Sequence, residues 1–293
     1  MSAPTWVLGV IGGSGVARLD GLTDVETLDL DTPWGKPSAP LVRGTLGGIG
    51  LVFLPRHGEG HRLPPSAINA RANIDALKRA GCTDLLSLSA VGSLREDLPP
   101  GTFVVVDQYI DRTVGRPASF FGEGVAAHVS LADPVCPRLS ALAAQAARAA
   151  GAPVVEGGTY LAMEGPQFST RAESRLYRSW GCDVIGMTNM PEARLAREAE
   201  LPYASVGMVT DYDCWRDDLG AVEIGEVIAV MTGNADKARA LVRALAAALA
   251  AAARTPSPID SCLDGAIVTP PAARDPALVA RLDAVAGRVL GAA

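Results

Sequence analysis

The chain has 293 residues, 48% of them hydrophobic, with 26 lysines and arginines against 32 aspartates and glutamates, a formal charge of −6. That hydrophobic share excludes wholesale disorder, and the length supplies core material for one large α/β domain or two small ones. The acidic balance argues against non-specific nucleic-acid binding, which needs a basic field to neutralise phosphates.

Short apolar runs alternate with helical patterns, which points to an α/β fold. A strand is predicted at 6–11, running into Gly12-Gly13-Ser14-Gly15, and another at 51–54. A helix over 68–80 carries Ile74 and Leu77 and stops at Gly81. Strands at 85–90 and 103–106 follow, then a helix over 138–150 that stops at Gly151 in the same way. After a strand at 159–163, the capping box Thr170-x-x-Glu173 opens a helix through Trp180. A strand at 184–187 leads to Asn189, with Pro191 in the first turn of the next helix, where its missing N–H costs nothing. A strand at 203–209 precedes an alanine-dominated helix at 240–253, and Asp275-Pro276 opens a last helix with Leu278, Leu282, Val285 and Val289 on one stripe. The strands are dense in Val, Ile and Leu without clean alternation, so they are expected to be buried on both faces. Residues 1–254 read as one domain. Residues 255–293, after the linker Thr255-Pro256-Ser257-Pro258, read as a helical extension packed on the same domain or a neighbouring subunit.

Three lysines (Lys36, Lys78, Lys237) leave few candidates for Schiff-base chemistry, and three histidines (His57, His61, His128) nearly exclude a histidine-rich metal site. Five scattered cysteines without a C-x-x-C pair read as reduced, mostly buried thiols, with neither a disulfide framework nor a zinc site. The N-terminus carries no basic n-region, and 6–11 is too short for a signal segment or a membrane span, so the expectation is a soluble cytoplasmic chain.

Five segments carry chemistry. Gly12-Gly13-Ser14-Gly15 suits either a plain turn or an anion cradle of converging N–H groups, and matches neither a dinucleotide fingerprint nor a P-loop. Arg56-His57-Gly58, just past a strand, offers bidentate donors suited to phosphate, or a surface ion pair. Ser87 to Ser93 places hydroxyls at a strand's carboxyl end, where open α/β sheets bind ligands. Met163-Glu164-Gly165-Pro166-Gln167-Phe168-Ser169 presents an aromatic ring that can stack on a flat ligand or sit in the core, and a glutamate able to bind sugar hydroxyls. In Thr210-Asp211-Tyr212-Asp213-Cys214-Trp215, residues i and i+2 of an extended segment face one way, so two carboxylates converge. Burial and mutual repulsion can keep one of them protonated as a general acid; the bland alternative is a solvated turn.

The order of these segments, together with Gly186-Met187-Thr188-x-x-Pro191-Glu192, Asp31 to Pro37 and Asp107 to Thr113, resembles the trimeric purine nucleoside phosphorylase family over about residues 7–250, and within it the methylthioadenosine phosphorylase branch. The resemblance implies a single α/β domain with a central mixed, largely parallel sheet flanked by helices. It implies phosphate-dependent cleavage of 5′-methylthioadenosine to adenine and 5-methylthioribose 1-phosphate, with inorganic phosphate as co-substrate and no cofactor or metal. On this pattern Ser14, Arg56, His57, Ser89 and the Ala90 backbone hold phosphate, Met187 and Thr188 lie at the ribose, and Phe168 flanks the base. Asp211 addresses purine N7 as the acid and Asp213 the 6-amino group. Val227 and Met231 line an apolar pocket for the 5′-methylthio group, and His128 reaches the site of a neighbouring subunit of a homotrimer. Gly186 departs from the asparagine frequent at that position. A phosphorylase of 6-oxopurine nucleosides, 5′-methylthioinosine or other 5′-deoxy-5′-substituted adenosines fits the same frame, and a non-catalytic nucleoside-binding protein is the remote alternative.

Overall fold

A computed structural model of the chain describes residues 6–13, 19–216, 218 and 223–291. From the amino end come β1 (Val7–Gly12), β2 (Thr23–Leu28), β3 (Leu41–Leu46), β4 (Ile49–Pro55), α1 (Ala70–Arg79) and the long β5 (Asp84–Ser93). Next are β6 (Phe103–Val106), β7 (Gln108–Arg112), α2 (Pro137–Ala149), β8 (Val154–Glu156) and β9 (Thr159–Met163). The second half runs α3 (Arg171–Ser179), β10 (Val184–Gly186), α4 (Asn189–Glu198), β11 (Tyr203–Asp211) and α5 (Ile224–Ala250), and closes with α6 (Pro276–Arg281) and α7 (Asp283–Leu290).

β5 is the hub of the sheet. β1 pairs parallel with its first four residues, β10 pairs antiparallel with Gly92 and Ser93, and β11 runs parallel along 85–92. The order β2-β3-β4-β1-β5-β10-β9-β7 continues through β11 to β6 and β8 as a branch. The β1/β4, β1/β5, β5/β11, β9/β10, β7/β9 and β6/β8 pairings are parallel, and the β2/β3, β3/β4, β5/β10 and β6/β11 pairings antiparallel. The sheet is therefore mixed and largely parallel, as expected. Both faces are covered. Ile74, Leu77, Leu195 and Leu201 belong to one apolar core, and Leu139, Ala143, Leu241 and Leu245 to the other. Each such fully buried leucine or isoleucine side chain contributes about 1.5–3 kcal/mol.

The strands missed by the apolar pattern are β2, β3, β7 and β8, which lie at or next to the ends of the sheet. β2 (Thr-Asp-Val-Glu-Thr-Leu) is exposed along nearly its whole length at the sheet edge, where charge protects against edge pairing and hides the strand signal. In the helices, Asn69 caps α1 by accepting from Ala72 N, and the Thr170–Glu173 capping box is present in both directions. Met190 is extended within α4 (φ −118°, ψ 134°), because the ring of the following proline disfavours the helical region for the residue before it. The predicted last helix breaks at Leu282 into α6 and α7, yet Leu278, Leu282 and Val285 all stay buried.

This extension lies on the chain's own body. Arg288 donates to both oxygens of the buried Glu200 at 2.8 and 2.6 Å, and Arg79 bridges Asp75 and Asp283. Arg254 ties the linker to Asp84 and Asp260, each at 2.6 Å. The five cysteines are free thiols. Among the described residues, no cluster of three His, Cys, Asp or Glu side chains could hold a metal, and no helix is long and apolar enough to cross a membrane.

Candidate active site

β1, β4 and β5 run in parallel register, so Gly12 stands beside Pro55 and Ile11 beside Ser87. Their carboxyl ends form one rim, the position at which open parallel sheets bind ligands. Arg56 leaves β4 there and turns inward: its side chain is only 2% exposed. Glu192 on α4 grips it at both ends, accepting from Nε at 2.9 Å and Nη2 at 3.2 Å. Nη2 also donates to Ser87 Oγ at 2.6 Å and Ile11 O at 3.4 Å, and Nη1 donates to Leu88 O at 3.0 Å. A guanidinium has five N–H donors in a fixed fork. Here the fork is already spent on Glu192, and among the described residues one Nη1 hydrogen has no acceptor. Tyr203 Oη completes the pair by donating to Glu192 Oε1 at 2.8 Å.

Ser89 Oγ donates to Asn189 Oδ1 at 3.2 Å, and Thr188 Oγ1 lies 3.4 Å from the same oxygen. Asn189 is itself fully buried and donates to Tyr109 Oη at 3.3 Å and to Ser205 Oγ. Ser89 and Thr188, a hundred residues apart, thus meet at one amide. The Ala90 backbone continues the same strand opposite Met208.

His57 Nδ1 lies 2.9 Å from Leu63 O, so that nitrogen carries the proton and Nε2 keeps a lone pair. Burial, reinforced by the Arg56 and His61 charges, pushes its pKa down to about 4. A neutral ring with an accepting Nε2 matches the protonated oxygen of hydrogen phosphate. The His61 ring stacks on it, centroids 4.0 Å apart. Ser14 lies outside the described residues.

Three residues further along β5, about 10 Å of strand, Gly92 faces the aspartate pair. A Cβ at Gly92 would come within 2.9 Å of Asp211 Oδ1 and 3.5 Å of Asp213 Cβ. Asp213 takes up a left-handed conformation (φ 52°) that returns its N–H to Asp211 Oδ1 at 2.7 Å. Thr210 Oγ1 donates to Asp211 Oδ2, also at 2.7 Å. Burial pushes the Asp211 carboxyl above the usual carboxylate range, against the Thr210 and Asp213 donors. Asp213 is pushed up by burial and by the Asp211 charge, while the Ser174 hydroxyl opposes the shift. Among the described residues, Asp213 Oδ2 is buried without a hydrogen-bond partner, as is Ser174 Oγ.

Cys214 Sγ donates to Ser169 O at 3.1 Å, which docks the Phe168 loop beside the aspartates, and the Phe168 ring is 44% exposed. Met187 Sδ packs onto Gly165, where a Cβ would approach to 2.4 Å. Arg116 clamps this wall: Nη1 donates to Met187 O at 2.7 Å and Nη2 to Glu164 O at 2.6 Å. Glu164 itself accepts from Val114 N at 2.7 Å and from Arg116 Nε at 3.3 Å. Gly186 faces Tyr160, whose Oη would lie 2.0 Å from any Cβ added there.

Val227 is buried and Met231 37% exposed on the first turns of α5. Ile224 and Ile228 extend an exposed apolar stripe with Met231 at i, i+4 and i+7. His128 lies on the segment that bridges to the C-terminal extension, where Ala127 pairs with Ile267. It is exposed, and its N–H is held by Ala266 O on the C-terminal extension. Arg116, Ile224 and Ile228 lay outside the segments singled out from the sequence; Thr210 and Glu192 lay within them without a role of their own, and Asn189 had been read as a helix start.

Taken together, the sheet and its rim define an α/β protein with the buried Arg56–Glu192 pair at one point of the rim and the Asp211–Asp213 pair beside Gly92 of β5. Comparison with known proteins agrees. The Phosphorylase superfamily profile matches residues 7–247. S-methyl-5′-thioadenosine phosphorylases of Bradyrhizobium diazoefficiens and Cereibacter sphaeroides are 60% and 61% identical to this chain, over 97% of it and 98% of each relative. A methylthioadenosine phosphorylase from an antarctic soil metagenomic library superposes with a TM-score of 0.90 at 44% identity, covering 96% of this chain and 99% of that one. Methylthioadenosine phosphorylase from Schistosoma mansoni in complex with adenine gives 0.83 at 35% identity, over 92% and 99%. The chain belongs to the phosphorylase superfamily and is an enzyme of the pentosyl-transferring, nucleoside phosphorylase type.

Proposed function

We propose that this chain cleaves 5′-methylthioadenosine with inorganic phosphate, giving adenine and 5-methylthioribose 1-phosphate. A phosphate oxygen attacks the anomeric carbon as the glycosidic bond breaks, and the departing purine takes a proton at N7 from Asp211. Phosphate rests on Ser14, Ser89, the Ala90 backbone, the remaining Arg56 Nη1 hydrogen and His57 Nε2. Met187 and Thr188 border the ribose, and Phe168 stacks on the base. The methylthio group lies against Val227 and Met231, with Ile224 and Ile228 widening that apolar surface. His128 completes the pocket from a neighbouring subunit of a homotrimer. The reaction takes place in the cytoplasm, with phosphate as co-substrate and no cofactor.

The observation that carries this reading is the unpartnered Oδ2 of Asp213, buried beside Asp211. A buried acceptor without a donor is costly. A 6-amino group satisfies it, whereas a 6-oxo group sets oxygen against oxygen. Tyr160 bears on the sugar: its hydroxyl fills the space before Gly186, so the glycine does not enlarge the pocket. Replacing Asp211 with alanine tests the reading. Turnover of 5′-methylthioadenosine is expected to fall about 100-fold or more while KM changes only a few-fold; a near-normal rate overturns the assignment of Asp211 as the acid.

A further inference from the structure

Successive side chains of a strand point to opposite faces, so Thr210 and Asp211 should not meet. They do, because β11 slips at this point: Val209 stands opposite Val91 and Asp211 opposite Gly92, so two steps on β11 match one on β5. Such a bulge re-aims a side chain and is frequent beside active sites. Here it brings the buried Thr210 hydroxyl to 2.7 Å from Asp211 Oδ2 and 3.2 Å from Val91 O. A hydroxyl has one proton to give, and two acceptors await it.

We propose that Thr210 is a positioning residue for the acid step, its hydroxyl holding Asp211 Oδ2 and donating more strongly to it as Asp211 gives its own proton to the purine. The inference rests on the reading of Asp211 as the acid. The proton balance is simple. The Asp211 carboxyl O–H bond breaks, the purine N7–H bond forms with the electron pair of N7, and Thr210 keeps its proton throughout. The hydrogen bond therefore strengthens as the carboxylate appears, which is the condition for raising turnover rather than ground-state binding.

The surroundings leave this hydroxyl a clear role. From β11 and its continuation, Asp213 is the charged group that faces Asp211, with its N–H on Oδ1. From β5 come Val91 and Gly92, which do not titrate, and from β10 the Ile185 side chain beside Gly92. On α3, Ser174 acts on Asp213, and the Asp213 charge in turn pushes the Tyr177 hydroxyl, already raised by burial, further up.

The test compares Thr210→Val, which keeps the shape and removes the hydroxyl, with Thr210→Ser, which restores it. Thr210→Val is expected to lower kcat for 5′-methylthioadenosine roughly 10- to 100-fold with KM within about threefold. The alkaline limb of its pH–rate profile should move up by about one unit, because the lost donor favoured the ionised carboxyl. Thr210→Ser should restore both. A purine nucleoside already methylated at N7 leaves without a proton, and on it the Thr210→Val loss should shrink to less than about threefold. An unshifted limb, or an equal loss on both substrates, overturns the proposal. Asp211→Ala separates the two levels. A near-normal rate removes the acid and this inference with it, whereas a crippled Asp211→Ala beside an unshifted Thr210→Val overturns the hydroxyl's role alone.

Discussion

Removing the Glu192 carboxylate exposes how the phosphate rim is built. In Glu192→Ala the Arg56 guanidinium, 2% exposed, loses its counter-charge, and the buried Tyr203 hydroxyl loses its acceptor. Breaking a buried ion pair from one side costs about 3–5 kcal/mol, because the remaining charge stays desolvated. The orphaned hydroxyl alone would cost about 1–3 kcal/mol, and the two overlap, so about 4 kcal/mol is a fair expectation. At about 2–4 °C per kcal/mol for a chain of this size, the melting temperature should fall by about 8–16 °C. Thermal unfolding without phosphate reads this directly. The double variant Arg56→Met, Glu192→Leu removes both charges and should recover at least half of the loss, since buried pairs are often replaceable by apolar residues. Recovery will be partial, because Leu88 O and Ile11 O lose their donor. A loss below about 1 kcal/mol in Glu192→Ala, or a double variant no more stable than the single, would refute the view that the pair is a mutually dependent scaffold.

His57 and His128 give two further expectations. With its pKa at about 4, His57 stays neutral at physiological pH, so the KM for phosphate should show no limb near 6.5 that His57→Asn abolishes. The sign for stability follows: between about 6.5 and 4 the unfolded chain binds the proton that folded His57 refuses. Stability contributed by the neutral ring is intact above that window and lost as pH falls through it. The melting-temperature advantage of the wild type over His57→Asn should therefore rise with pH across it, and a flat difference would contradict this. His128→Ala should erode the preference for 5′-methylthioadenosine over adenosine while leaving the single chain's fold intact. An unchanged preference removes His128 from the pocket.

Much of this was legible in the sequence because local chemistry wrote it there. Apolar runs such as Leu51 to Leu54 could only be buried strands, and Thr170 with Glu173 fixed a helix start. The paired aspartates stood out by spacing, although Asp213 converges through a left-handed turn and not through strand alternation. What stayed hidden depends on partners far along the chain. Arg56 read either as a bidentate phosphate donor or as a surface ion pair, since nothing local reveals that Glu192, 136 positions away, occupies its fork in the interior. The bulge that brings Thr210 to Asp211 is a mismatch between two strands, invisible in either one. Edge strands such as β2 carry charge where the pattern looks for apolar residues. Gly186 read only as a departure from asparagine, and nothing local reveals that Tyr160, from another strand, fills the space before it.

The most direct measurement follows both products of 5′-methylthioadenosine cleavage with and without inorganic phosphate. The account predicts adenine and 5-methylthioribose 1-phosphate in equal amounts, at a rate that rises with phosphate and nearly vanishes without it. Undiminished adenine release in phosphate-free buffer, accompanied by free 5-methylthioribose, would show that water is the nucleophile and would contradict it.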